Sequence, residues 1–178
     1  MKKIVIVRGK IASGKSTISS ELTKVLPGWV YVDMWKIKEM FEPLKLKNRK
    51  PSNSISKDTM FFIIERIMKD LGLNIVIQES RQETVNRYLK KDLKKHGYKI
   101  YSFYLDIDLK TALRRNIERE KKTMLKKYFL EDKSKPDEKD IVINTNNNSI
   151  KQVINLILKE IGEKRRKHEL AHKIRKTV

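Results

Sequence analysis

Apolar positions along the chain fall into two kinds of run. Ile4-Val5-Ile6-Val7 is an unbroken β-branched stretch, which reads as a strand buried on both faces of a parallel sheet. Behind it Ile18, Leu22, Val25 and Leu26 recur at i, i+4, i+7 and i+8, a helical stripe that Pro27-Gly28 stops. Trp29-Val30-Tyr31-Val32 predicts a second short strand ending at Asp33, and residues 34–42 a helix that stops before Pro43. Pro, Ser and Asn among Lys45, Lys47, Arg49 and Lys50 make 43–56 a basic loop. Met60, Ile64, Ile67 and Leu71 line a helix over about 57–71. Strand three is Ile75-Val76-Ile77, followed by a polar helix over 82–96 that His96-Gly97 closes. Residues 99–105 form strand four, Asp106 stands at its end, and Asp108 is placed to cap the next helix. Residues 121–139 are charged and lack periodicity; Ile141-Val142-Ile143 is strand five. The last helix carries Ile150, Val153, Ile154, Ile157, Leu158 and Ile161 on one stripe. Five apolar strands separated by helices predict an α/β fold, a three-layer α/β/α sandwich around a five-stranded parallel sheet.

At 178 residues the chain is long enough to bury a full core as one domain. Residues 1–161 are expected to form it, with a helical lid over about 110–139 and a basic tail over 162–178. The absence of cysteine excludes a disulfide scaffold, thiolate zinc sites and a Cys nucleophile. No apolar stretch is long enough to span a bilayer, and the run after Lys2-Lys3 is too brief for a signal-peptide core. A cytoplasmic protein without a membrane partner is expected. The 42 Lys+Arg against 22 Asp+Glu leave a formal charge of +20, which suggests a polyanionic partner. A Lys-rich composition from a heat-adapted or AT-rich genome gives the same figure.

Chemistry enters at Gly9-Lys10-Ile11-Ala12-Ser13-Gly14-Lys15-Ser16, which satisfies G-x-x-x-x-G-K-[ST] at every fixed position. The loop leaves a buried strand and opens a helix, the setting in which backbone N–H groups turn inward onto phosphates and the helix dipole adds to their field. Lys15 is expected on the β- and γ-phosphates and Ser16 on Mg²⁺, with Thr17 following into the helix. Neither a D-x-x-G switch nor an N-K-x-D guanine reader occurs, which argues against a regulatory GTPase. Glu79, just past strand three, is a candidate second holder of Mg²⁺, or else a solvated acid.

Asp33 ends strand two, on the same edge of the sheet as the phosphate loop. A carboxylate there can take or orient the proton of an incoming hydroxyl. Asp is also a favoured helix N-cap, and the two roles are compatible. Arg115 and Arg119 lie at i and i+4, so one helix face presents two guanidiniums beside the charged segment. On a lid they would neutralise charge in a loose phosphoryl-transfer transition state; otherwise they are a solvated basic face.

The phosphate loop, the Asp after strand two and the R-x-x-x-R pair together resemble the small P-loop kinases. Within these, the chain is most similar to the polynucleotide-kinase and chloramphenicol-phosphotransferase branch, over about residues 1–161. The resemblance implies that Asp33 activates the acceptor hydroxyl. The run Arg114-Arg115-Asn116-Ile117-Glu118-Arg119 matches the lid pattern, which implies a transition-state role for Arg119 and a phosphate role for Arg115. Asn144 and Thr145 fall in the segment that flanks adenine in that branch. Lys36 stands where polynucleotide kinases carry Arg, and Glu79-Ser80-Arg81 where they carry D-T-N. Lys36 and Arg81 are therefore the candidate acceptor-binding cations. Asp33-Met34-Trp35-Lys36 also resembles the D-M-L-R string of adenylate kinases, so a nucleotide acceptor is open as well.

The expected cofactors are ATP (or GTP) and Mg²⁺. The expected reaction is transfer of the γ-phosphoryl to a hydroxyl of a nucleic acid or nucleotide. A small metabolite, sugar or antibiotic hydroxyl is the alternative acceptor, and a nucleotide-binding RNA-associated protein the alternative without catalysis. Basic residues are concentrated where a polyanion would approach. Residues 110–127 hold eight basic and two acidic residues, and residues 159–178 eight and three. His168-Glu169-Leu170-Ala171-His172 spells H-E-x-x-H, but its cationic surroundings and the absence of a downstream third ligand argue against a catalytic zinc.

Overall fold

The computed structural model describes residues 1–41, 50–78, 80–118 and 125–165. Its centre is a five-stranded parallel sheet in the order β2-β3-β1-β4-β5. The strands are β1 (Lys2–Gly9), β2 (Trp29–Val32), β3 (Asn74–Gln78), β4 (Tyr98–Asp106) and β5 (Asp140–Asn144). In the middle of the sheet, Ile4 stands between Ile75 and Ile100, and Val7 between Gln78 and Phe103. Parallel pairing brings the C-terminal ends of all five strands to one edge, where the loops that follow them meet.

The alternation of side chains along a strand explains why β1 is apolar throughout. Val5 and Val7 face α1 (Lys15–Val25) and α7 (Ile150–Ile161), packing with Ile18, Leu22, Val153, Ile157 and Leu158. Ile4 and Ile6 face the opposite layer, built from α3 (Lys50–Arg66) and α4 (Gln82–Lys95). Met60, Phe61 and Ile64 from α3 and Val85 and Leu89 from α4 cover them. Both layers are therefore closed, as the continuous β-branched run requires. α7 begins with a reciprocal capping box between Ser149 and Gln152 and ends at Gly162 in the left-handed conformation, φ 68°.

Two expectations need correction. The expected loop over 43–56 is helical from residue 50 onward, because α3 starts at Lys50; residues 42–49 lie outside the described set. Pro51 is tolerated in a first helical turn, where its missing N–H is not needed. Ser56 sends its hydroxyl back to the Ser52 carbonyl at 2.7 Å, so a residue that signals turns sits buried in a helix with its polar atom satisfied. The same helix ends in one wider π-helical turn, Ile67–Leu71, closed by Gly72 at φ 58°. In the expected helical lid, α5 (Leu109–Glu118) is followed by α6 (Leu125–Glu131). Phe129 is the buried anchor of α6, and so short a helix leaves no period to read in the sequence. The helix expected over 34–42 is α2 (Met34–Glu39).

Candidate functional site

The loop after β1 has the backbone that its glycines permit. Gly9 has φ 139°, Ala12 φ 63° and Gly14 φ 94°. A Cβ at Gly9 would stand 2.5 Å from the Leu105 carbonyl oxygen and 2.7 Å from Ser13 Oγ, so β4 and the loop close on a backbone without a side chain. Gly14 caps α1 without a side-chain hydrogen bond, which leaves the N–H groups of the first turn facing the loop. The buried Lys15 ammonium donates to the carbonyls of Gly9 and Lys10, each at 2.9 Å. It thus lies across the mouth of the curl that its own loop makes. Ser16 is exposed beside it, while Ser13 is buried.

Asp33 follows β2 and caps α2, accepting the Trp35 N–H on Oδ1 at 2.9 Å. Its Oδ2 lies 2.9 Å from the Tyr31 hydroxyl. Lys36 is exposed on α2, with its ammonium 5.9 Å from the centre of the Tyr31 ring. Arg81 is the exposed N-cap of α4. It lines a polar cleft of about 230 Å³ together with Arg8, Gly9, Asp132 and Ser134. Two candidate acceptor groups, Asp33 and Arg81, thus follow neighbouring strands at the phosphate-loop edge.

A second cleft, of about 360 Å³, opens beside the first turn of α1. Ser13, Gly14, Thr17, Arg115, Thr145 and Asn148 are among the residues that line it. The Arg115 guanidinium donates to the Thr145 carbonyl, and Thr145 is itself tied to the Asp106 carbonyl through its N–H and its hydroxyl, both at 2.8 Å. Asn144 does not line the cleft. Its side chain accepts the Asn146 N–H at 2.9 Å and its carbonyl the Asn148 amide at 2.7 Å, which shapes the turn leading to α7. Asp108 caps α5 through the Thr111 N–H at 2.6 Å, and that bond holds its carboxyl below the ordinary range.

Sequence reasoning missed a set of contacts beneath the loop. Arg8, 3% exposed, donates to Asp140, to Asp137 at 2.6 Å and to the Lys135 carbonyl at 3.3 Å. Asp132 accepts the Ile11 N–H of the phosphate loop at 3.1 Å, and Tyr104 donates to the Ser134 carbonyl at 2.8 Å. Burial pushes the Tyr104 phenol up. Phe129 packs beside Ile11 and Ala12, with the Lys10 ammonium 4.8 Å from its ring centre. The part of the lid from α6 to β5 is therefore fastened to the loop. A charge directly after Ile4-Val5-Ile6-Val7, on a strand buried on both faces, was the available signal for Arg8. Nothing in the local sequence marks Asp132.

Glu79, Arg119, the basic stretch 45–49, the H-E-x-x-H string at 168–172 and all of the tail beyond residue 165 lie outside the described residues. Among the described residues no three His, Cys, Asp or Glu side chains are grouped to hold a metal ion, and no helix is long and apolar enough to cross a membrane.

No protein-family model matches the chain, and no curated protein matches its sequence. Solved structures do match. The Deinococcus radiodurans tunicamycin resistance protein aligns at 16% identity and TM-score 0.66, over 94% of this chain and 99% of its own. The Mycobacterium tuberculosis APS kinase CysC, in complex with AMPPNP and APS, aligns at 14% identity and TM-score 0.63, over 91% and 98%. A chain of the Pnkp1/Rnl/Hen1 RNA repair complex aligns at 16% identity and TM-score 0.57, over 72% of this chain and 43% of its own. At these identities the likeness shows the fold alone, an α/β architecture around a five-stranded parallel sheet.

Proposed function

We propose that the chain is a kinase that moves the γ-phosphoryl group of ATP to a hydroxyl acceptor. The observation that carries this reading is the buried Lys15 ammonium, closed over a glycine-shaped curl of N–H groups on the sheet edge where Asp33 also emerges. The curl fits a chain of phosphates, and Lys15 exchanges two carbonyl oxygens for phosphate oxygens when they enter. Ser16 is the hydroxyl that would hold Mg²⁺, with Glu79 as a further holder; the ion supplies charge neutralisation at the β- and γ-oxygens. Asp33 orients the acceptor hydroxyl and takes its proton. Arg115, which lines the cleft beside α1, and Arg119 supply cations to the transferring group. Thr145 borders the base, and Lys36 and Arg81 receive the acceptor.

The acceptor we favour is a nucleic acid or nucleotide. The basic residues of 45–50, 110–127 and the tail exceed what binding ATP requires, and polyphosphate ligands are held largely by such charge. A small hydroxyl compound is the second reading, favoured by the modest cleft beside Arg81 and by the nearly complete alignment with the tunicamycin resistance protein and APS kinase. Incubating the protein with γ-labelled ATP, 5′-hydroxyl oligonucleotides and a panel of sugars, nucleosides and antibiotics separates the two. Label in the oligonucleotide supports the first reading and label in a small molecule the second. Binding of nucleotide and RNA with no transfer to any acceptor overturns the kinase reading in favour of a nucleotide-binding RNA-associated protein.

A further inference from the structure

The Asp33 carboxylate is engaged on both oxygens, and the two engagements differ in kind. Oδ1 accepts a backbone N–H, a group that can only donate. Oδ2 faces the Tyr31 hydroxyl, which can donate or accept. The same hydroxyl stands 2.6 Å from the side-chain oxygen of Gln78. Gln78 is 3% exposed and is the last residue of β3, in register with Val7 just before the phosphate loop. A buried amide at that position needs a partner, and Tyr31 provides one.

A phenol carries one proton, so the Tyr31 hydroxyl donates to one neighbour while accepting from the other. Gln78 carries an acceptor and a donor on one amide group and can complete the bonding in either direction. While Asp33 is ionised, the hydroxyl donates to Oδ2. Once Asp33 holds a proton, the hydroxyl turns to the Gln78 oxygen and its own oxygen can accept from the carboxyl group. Lys36 contributes the cation that faces this cluster from α2.

The geometry points to Tyr31, backed by Gln78, as a positioning residue for Asp33 that serves the carboxyl group in both of its protonation states during phosphoryl transfer. The inference rests on the base role of Asp33 in the proposed kinase reaction. In that step the acceptor oxygen bonds to the γ-phosphorus as its proton passes to Asp33. The bond from phosphorus to the β–γ bridging oxygen breaks, and the nucleoside diphosphate leaves with the electron pair. Tyr31 ends with the proton it began with.

Tyr31→Phe removes the hydroxyl and keeps the ring. With the acceptor identified by labelled transfer, kcat is expected to fall roughly ten- to a hundredfold, the worth of a hydrogen bond to a charged group, while KM for ATP holds. A readout independent of transfer is the ¹³C chemical shift of the Asp33 carboxyl carbon at neutral pH, assigned by its loss in Asp33→Asn. In Tyr31→Phe that chemical shift is expected to move, because the carboxylate loses a charge-assisted donor. Gln78→Leu is expected to move both readouts the same way by less. An unchanged carboxyl chemical shift in Tyr31→Phe overturns the inference, as does a loss confined to KM for ATP and thermal stability. Normal turnover in Asp33→Asn overturns the base role itself, whereas an inactive Asp33→Asn beside a silent Tyr31→Phe overturns only the part given to Tyr31.

Discussion

At Gly9 the phosphate loop has no room for a side chain and no conformation that favours one. A methyl group there meets the Leu105 carbonyl at 2.5 Å on a backbone with φ 139°. Backbone strain of this kind costs about 1–3 kcal/mol, and the collision with fixed backbone adds to it. Gly9→Ala is therefore expected to weaken binding of a fluorescent ATP analogue by at least about tenfold and to lower the midpoint of thermal unfolding. Asp33 separates differently, because Asn retains the oxygen that caps α2 but cannot take a proton. Asp33→Asn is expected to lose about 10²-fold or more in kcat, with ATP affinity and thermal midpoint little changed. Near-normal turnover would reduce Asp33 to a cap.

Between elements, the decisive contact is the one from β1 to the segment entering β5. The Arg8 and Asp140 side chains are 4% and 1% exposed, so neither charge has water to replace its partner. Arg8→Met leaves the Asp140 carboxylate buried without its cation, which costs about 3–5 kcal/mol in urea unfolding. Adding Asp140→Asn to Arg8→Met removes the stranded charge, and the double variant is expected to recover part of that loss. If Arg8→Met unfolds like the wild type, the strut does not hold the lid. α5 answers to pH instead. The bond from Thr111 holds the Asp108 carboxyl below its ordinary range. A carboxyl depressed on folding adds stability above its unfolded value and loses that contribution as pH falls through the folded one. Amide protection in the first turn of α5 is expected to drop below about pH 4, and Asp108→Asn, a cap that does not ionise, is expected to flatten the dependence.

For the molecule as a whole, charge and topology answer different questions. The +20 formal charge predicts that any oligonucleotide bound will be released steeply by salt, by at least about tenfold between roughly 50 and 200 mM. Fluorescence anisotropy of a labelled 5′-hydroxyl RNA measures this. A salt-independent affinity, or loss of ATP binding over the same range, would detach the charge from nucleic-acid recognition. The phosphate loop, Asp33 and the five strands were legible because each rests on local physics: a glycine pattern that shapes a backbone, a cap at a strand end, β-branched runs that need burial on both faces. The start of α3 and the bounds of α6 were not legible, since Pro51, Ser52 and Ser56 signal turns locally and Phe129 is a single anchor without a period. The sequence by itself therefore determined the sheet and the place of the Gly9–Ser16 loop and of Asp33 at its edge. Only the tertiary structure decided which polar groups surround them. Arg8 meets Asp137 and Asp140 across more than a hundred residues of chain, and Tyr31 meets Gln78 on a neighbouring strand. Contacts of that separation come from strand order and register, which no window of local sequence contains.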